Sequence, residues 1–324
     1  MIYFVTEPAG EGSYLHTFQR VVMGEFARLG IPFCHVPLRG PVADEVNYRT
    51  IASVPATERD VWFFAYAHNP AVRFAALRPG RRYGHAHGLA ALPYEPAVLA
   101  GFDLDERRTL SHYHGVFLNS EWALGAARAA YPDLAPRLHV TGFPLDIDAL
   151  RAYRSARRRP GLVVFNQRFS LEKLHILEVA MSEWLLGAGY EVWHLLPEEE
   201  EARVLADREA GALYRAGKRM GMRFQVTRTK GEYYHLLAQA SVVATTSLAD
   251  TLSVGTVEAI AMGVCPVAPR WGPFPEYVHA DNLYRPFNLR EALALVAAAP
   301  EREHEVDRFS GPAVVARYLN LMGW

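Results

Sequence analysis

Residues Ser241–Ala268 read SVVATTSLADTLSVGTVEAIAMGVCPVA. A short apolar run, Ser241–Thr245, leads through a polar loop into a helical stretch, Ser253–Met262; Gly263 then turns the chain into a second apolar run, Cys265–Ala268. Two short strands joined through a helix form a parallel βαβ unit, since a hairpin would reverse the second strand. Ser253, Gly255 and Thr256 at the helix start are small or polar and let a ligand approach the first backbone N–H groups. Those donors and the helix dipole favour phosphate. Glu258 lies at the first turn, placed either to accept a ligand's hydroxyls or merely to stabilise the helix N-terminus.

The same alternation runs through the chain. Candidate strands are Ile2–Val5, Pro32–Val36, Val61–Tyr66, Gly115–Asn119 and Leu138–Thr141, then Leu162–Asn166, Glu191–Leu196 and Arg223–Thr227. Helical patterns cover Ser13–Leu29, Asp105–Tyr113, Glu121–Tyr131, Leu171–Leu186, Glu198–Met220, Glu232–Gln239, Leu289–Ala298 and Pro312–Met322. This is an α/β chain with two doubly wound, Rossmann-like domains facing a cleft. The expected first domain is residues 1–155, the second 156–310, and the helix at 311–324 packs back on the first. The basic stretch Arg151–Pro160, RAYRSARRRP, reads as a solvated linker or, alternatively, a nucleic-acid or phosphate patch.

Composition narrows the function classes. The chain has 324 residues and a formal net charge of -1, so no global charge drives it to nucleic acid or membrane. No apolar run approaches the roughly 20 residues that span a bilayer, so no membrane insertion is expected. The first residues, MIYFVTEPAGEG, do not read as a signal peptide. Two distant cysteines, Cys34 and Cys265, form no metal or redox motif and fit a reducing cytoplasm.

Four further stretches carry chemistry. Val163–Lys173, VVFNQRFSLEK, ends an apolar strand in a loop with Asn166 and Arg168, followed by Lys173. Only three of the 34 basic residues are lysines, so one here is notable. Glu7–Tyr14, EPAGEGSY, offers Gly10, Gly12 and Ser13 in a loop between the first strand and helix, without a complete dinucleotide-binding pattern. Tyr83–Gly88, YGHAHG, places His85 and His87 on one face of a strand end. No carboxylate or cysteine nearby completes a metal set with them. Val140–Asp148, VTGFPLDID, and Asp103–Asp105 contain Asp-x-Asp pairs, a two-residue match in an acid-rich chain to which no metal is assigned.

Asp250 and Glu258 are separated by seven residues, and Ala-rich helix, Gly263, apolar strand and Pro275-Glu276 follow. In this the chain resembles the retaining nucleotide-sugar glycosyltransferases of the GT-B fold often called family 4. The resemblance implies that Glu258 holds the donor ribose and Asp250 contacts the sugar; the family usually has Glu at the position of Asp250, one methylene longer. It implies that Arg168 and Lys173 meet the donor diphosphate, that Ser253, Gly255, Thr256, Asn166, Gly12 and Ser13 contact the donor, and that His87, or failing it His85, lies by the reacting sugar. Asn166-Gln167-Arg168-Phe169 with Lys173, and the Pro275-Glu276-Tyr277 and Asn282-Leu283-Tyr284 segments, are similar to the tRNA-queuosine mannosyltransferases.

The expected activity is transfer of a sugar from a UDP- or GDP-sugar to an acceptor hydroxyl, with retention and without metal or further cofactor. The acceptor is open. A modified base in tRNA or DNA is one alternative, a non-catalytic sugar-nucleotide-binding protein a second, and another enzyme on the same fold, such as an epimerase, a third.

Overall fold

In the computed structural model, which describes residues 1–10, 13–40, 44–92, 103–154, 158–170 and 173–324, the apolar runs become strands of two parallel sheets. Six of the twelve described strands are buried along their whole length, as expected when helices cover both faces of a parallel sheet. The chain divides into two units, Met1–Asp146 with Asp307–Trp324, and Ile147–Val306.

The first unit contains β1 (Ile2–Thr6), α1 (Tyr14–Arg28), β2 (Phe33–Pro37), α2 (Asp44–Ala52), β3 (Val61–Phe64), α3 (Val72–Ala75), β4 (Arg81–Ala86), α4 (Asp103–Ser111), β5 (Gly115–Leu118), α5 (Glu121–Ala130) and β6 (Leu138–Val140). The sheet order is β2-β1-β3-β4-β5-β6. The second unit contains α6 (Ile147–Arg151), β7 (Leu162–Phe165), α7 (His175–Gly187), β8 (Glu191–Pro197), α8 (Glu198–Ala206), α9 (Arg208–Met220), β9 (Arg223–Thr227), α10 (Lys230–Leu237), β10 (Val242–Ala244), α11 (Val254–Ala261), β11 (Cys265–Pro269), β12 (Leu283–Tyr284) and α12 (Leu289–Ala298). Its order is β12-β11-β10-β7-β8-β9. The chain closes with α13 (Gly311–Met322), which returns to the first unit and packs on α1. The approach is close: a Cβ on Gly311 would lie 2.7 Å from Val21 Cγ1.

Two doubly wound α/β domains are what the alternation predicts, and several local readings change. The single helix expected over Glu198–Met220 is two helices. Asp207 takes extended backbone angles (φ -78, ψ 134) and its side chain accepts from the Glu209 and Ala210 N–H groups, capping a new start. The described residues of Arg151–Pro160 are nearly all exposed, as a solvated linker requires, and two of its arginines make contacts. Arg154 Nε donates to the Ala261 carbonyl (3.2 Å), and Arg159 pairs with Glu191 (2.6 Å) while lying 4.9 Å over the Trp193 ring. Residues 155–157 of that run, and 171–172 at the start of the helix expected from Leu171, lie outside the described residues.

The helix α13 brings Tyr318 into the aromatic core of the first sheet. Its ring is 4.9 Å from Phe117 and 5.1 Å from Phe63, between centroids, and fully buried. A buried phenol needs a partner; here the hydroxyl donates to His85 Nδ1 (2.8 Å).

Candidate functional site

In an open parallel sheet the chain winds outward in two directions from a central pair of strands, and their carboxyl ends leave a crevice. In the second unit that pair is β7 and β10. The loops leaving them are Asn166–Lys173 and Thr245–Ser253, the two stretches singled out by composition and spacing.

The structure draws these loops together. Lys173 is buried, and its Nζ donates to the Ala249 carbonyl and to Asp250 Oδ1 (3.1 Å). The next residue, Leu174, sits in the left-handed region (φ 58), a conformation costing a branched side chain about 1–2 kcal/mol. Thr246 Oγ1 donates toward the Lys173 and Leu174 carbonyls (3.4 Å each), and Gln167 Nε2 reaches Thr246 Oγ1 (3.3 Å). Tyr284 donates to the Thr245 carbonyl (2.8 Å) and Trp271 to that of Leu248 (3.2 Å), so the β10 loop is pinned along its length. Arg168 is exposed, its Nε 3.4 Å from Ser170 Oγ.

At the start of α11, Gly255 serves a contact within the protein. Asn166 Nδ2 donates to the Gly255 carbonyl (2.9 Å) and to the Tyr233 hydroxyl (3.0 Å), and a Cβ at 255 would lie 2.8 Å from Asn166 Nδ2. Ser253 and Thr256 share a hydroxyl hydrogen bond (2.9 Å). Glu258 is 1% exposed and faces a cation and phenols from α10: Lys230 Nζ lies 2.9 Å from Oε1, and the Tyr234 hydroxyl donates to Oε1 (2.9 Å). Burial, with Glu258 beside it, pushes the Tyr233 phenol far above its ordinary pKa, so it stays a proton donor. Lys230 and the two tyrosines were not singled out from sequence; their only signal is that α10 follows the neighbouring strand β9.

Three buried side-chain atoms at this crevice have no hydrogen-bond partner among the described residues: Asp250 Oδ2, Gln167 Oε1 and Ser247 Oγ. Native proteins rarely leave such groups unpaired, so a ligand or water is called for. The carboxylate oxygen asks for a donor, such as a hydroxyl.

The first unit has its corresponding crevice between β1 and β3. Ser13 caps α1, accepting from the His16 N–H (3.1 Å) and donating to the Gly10 carbonyl (2.8 Å). Gly12 lies outside the described residues. Asn69, just after β3, donates to Glu7, just after β1. His87 follows β4 and lies among the rings of Tyr14, Phe18, Tyr66 and Phe143. Its Nε2 faces the Ala65 carbonyl (2.7 Å), so Nε2 carries the ring proton and Nδ1 presents a lone pair. Burial, aided by nearby His68, pushes its pKa down to about 3, so the ring is neutral at pH 7. His85 is fully buried between Tyr318 and Asn119, with both ring nitrogens engaged. Glu106, also buried, accepts from the Ala90 N–H (3.0 Å) and faces His68 Nε2 (2.5 Å).

The chain matches no protein-family model and no curated protein. Among solved structures it is similar over its full length to several. The α,α-trehalose 6-phosphate synthase of Burkholderia multivorans superposes with a TM-score of 0.71 at 12% identity, covering 100% of this chain and 98% of the other. Anabaena HepE, solved with UDP and glucose, gives 0.68 at 16% identity with 99% of each chain covered. The fold is GT-B. A glycosyltransferase from Rickettsia africae gives 0.67 at 11%, covering 99% of this chain and 97% of its own. At these identities the likeness establishes the GT-B architecture, while the chemistry rests on the residues of the site. Among the described residues, no helix is long and apolar enough to cross a membrane.

Proposed function

We propose that this chain is a glycosyltransferase that moves a sugar from a UDP- or GDP-sugar to an acceptor hydroxyl, with retention of configuration. The observation that carries the reading is the crevice between β7 and β10, where Arg168, the Lys173–Asp250 pair and three buried polar atoms without partners converge. The solved structure of HepE holds UDP and glucose on the same fold, and one containing UDP-glucose is also similar.

In this reading the second domain binds the donor. Breaking the anomeric bond leaves charge on the diphosphate. Arg168 meets that charge with a planar fork of donors, and Lys173 with a compact ammonium. Two cations positioned in this way give the leaving group its stabilisation, so no metal is assigned a role. Asp250 Oδ2 accepts a sugar hydroxyl. Glu258 takes the ribose hydroxyls, with Lys230 and Tyr234 holding its carboxylate in place. The first domain presents the acceptor near His87, whose neutral ring and lone pair suit accepting a hydrogen bond from a hydroxyl.

The deciding experiment is a thermal-shift screen of the full chain against UDP, GDP, ADP and their sugar conjugates, with and without EDTA. A ligand at 100 times its Kd stabilises by about 2.7 kcal/mol, so one nucleoside diphosphate is expected to raise the Tm clearly, and EDTA to leave that rise intact. No shift with any of them sinks the proposal.

A further inference from the structure

The peptide unit joining Arg168 to Phe169 is gripped at both of its polar atoms. Its carbonyl oxygen accepts from His175 Nε2 (2.5 Å), at the start of α7, and its N–H donates to Glu200 Oε1 on α8. Behind His175 lies a closed chain of buried groups. Its Nδ1 donates to Glu178 Oε2, His194 Nδ1 on β8 donates to Glu178 Oε1 (2.6 Å), and Gln167 Nε2 approaches Glu178 Oε2 (3.4 Å). His175, Glu178 and His194 are each 0% exposed.

His175 has a partner at each ring nitrogen, the Glu178 carboxylate at Nδ1 and the Arg168 carbonyl at Nε2. His194 has one acceptor, Glu178, and its Nε2 has no partner among the described residues. Burial alone would raise the Glu178 pKa, but the His194 and His175 rings outweigh it and hold the carboxyl at about 2. The Phe169 ring stacks 4.1 Å from His175. The titratable groups against His175 are Glu178 on its own helix and the His194 ring on β8, 5.4 Å away; Glu200 on α8, with Arg168 and Arg203 near it, holds the other polar atom of the peptide.

These three side chains also form the only His/Cys/Asp/Glu group among the described residues able to hold a metal, with candidate ligand atoms within 4.8 Å of one another. Direct hydrogen bonds already satisfy the Glu178 carboxylate and the His175 ring, so the geometry is that of a hydrogen-bonded cluster.

We infer that His175, held by Glu178, is a positioning residue for Arg168. The His175 ring fixes the orientation of the Arg168–Phe169 peptide, and with it the direction in which the Arg168 side chain leaves the backbone. The inference rests on the proposal that Arg168 meets the donor diphosphate. Strands and helices can hold a backbone to a fraction of an ångström, but a loop needs side-chain clamps of this kind to do so.

The test compares the full chain with a His175→Phe variant, which keeps an aromatic ring against Phe169 and removes the donor to the Arg168 carbonyl. Titration calorimetry with UDP and with uridine (or GDP and guanosine, if the chain prefers that base) separates the diphosphate contribution from the rest. With the Arg168 side chain no longer aimed, affinity for the nucleoside diphosphate should fall about tenfold while the nucleoside binds unchanged. Equal diphosphate affinity in the two chains overturns the inference, as does an equal loss for both ligands. Should the variant not fold, nitrogen-15 NMR of the histidine rings in the unaltered chain at pH 8 decides instead. A proton on His175 Nε2 supports the inference; a bare Nε2, or a stoichiometric metal ion on the rings, overturns it. Failure of the unaltered chain to bind any nucleoside diphosphate overturns the donor reading and this inference with it.

Discussion

The two sheets of this protein have the same winding and unlike crevices. Between β1 and β3 of the first, the nearby groups are largely aromatic and neutral: Tyr14, Phe18, Tyr66, His87 and Phe143, with the histidines kept uncharged by burial. Between β7 and β10 of the second, the groups are ions: exposed Arg168, and the pairs Lys173–Asp250 and Lys230–Glu258. One topology thus offers two chemistries, because a doubly wound sheet fixes where its loops converge and leaves their side chains free. A neutral aromatic surface suits a sugar or other polar acceptor, and the ionic one suits a diphosphate.

The sharpest way to break this comparison is to cut one group from each side. Arg168→Ala should lower kcat about 100- to 1000-fold, the usual effect of losing a donor aimed at developing charge, with the Tm nearly unchanged because the side chain is exposed. His87→Gln should lower turnover less, about tenfold, and leave nucleoside diphosphate affinity unaltered. If His87→Gln weakens diphosphate binding as much as Arg168→Ala does, the assignment of donor to one domain and acceptor to the other is wrong.

Acid should separate the two domains as well. Burial lowers the pKa of His35, His85, His87, His112, His114 and His139 in the first domain, and only His304 shifts this way in the second, to about 4, among the described residues. An unfolded histidine takes its proton near 6.5. Between there and the folded value, about 3 for His87, the unfolded chain binds more protons, so stability falls as pH drops through that window. Glu178 is also depressed, to about 2 against an ordinary 4.5, so its contribution is lost only below 4.5. Hydrogen exchange read domain by domain, corrected for intrinsic rates, should show the first domain loosening at higher pH; loosening of both at one pH would contradict this balance.

The smallest expected effect concerns the core beneath the first crevice. Tyr318→Phe removes the donor to His85 Nδ1 and should cost about 1–2 kcal/mol in a denaturant titration. A neutral result would mean that His85 finds another donor.

The architecture was legible in the sequence because parallel strands buried on both faces read as unbroken apolar runs, as at Val61–Phe64 or Leu162–Phe165. Elements without that signature were missed. The strand β4 opens on Arg81 and Arg82, α2 is mostly polar, and β12 is two residues long. Asp207 hid a helix break inside a run that kept its helical period. At the site, Arg168, Lys173, Asp250 and Glu258 stood out by spacing. Their pairings did not, because Lys173 meets Asp250 across 77 positions and Lys230 meets Glu258 across 28. Nor did the clamp on the Arg168 peptide show, since His175, Glu178 and His194 come from a helix and a strand that local pattern cannot bring together.

The return of α13 to the first unit has a consequence for synthesis. The unit begun first is discontinuous, Met1–Asp146 with Asp307–Trp324, while the second, Ile147–Val306, is one unbroken stretch. On the ribosome the second can close its core before the chain ends, but Phe63, Phe117 and His85 wait for Tyr318, 233 residues beyond His85. Until Tyr318 is made, Phe63, Phe117 and His85 lack that ring as cover, an exposed aromatic surface of the kind that favours misassociation.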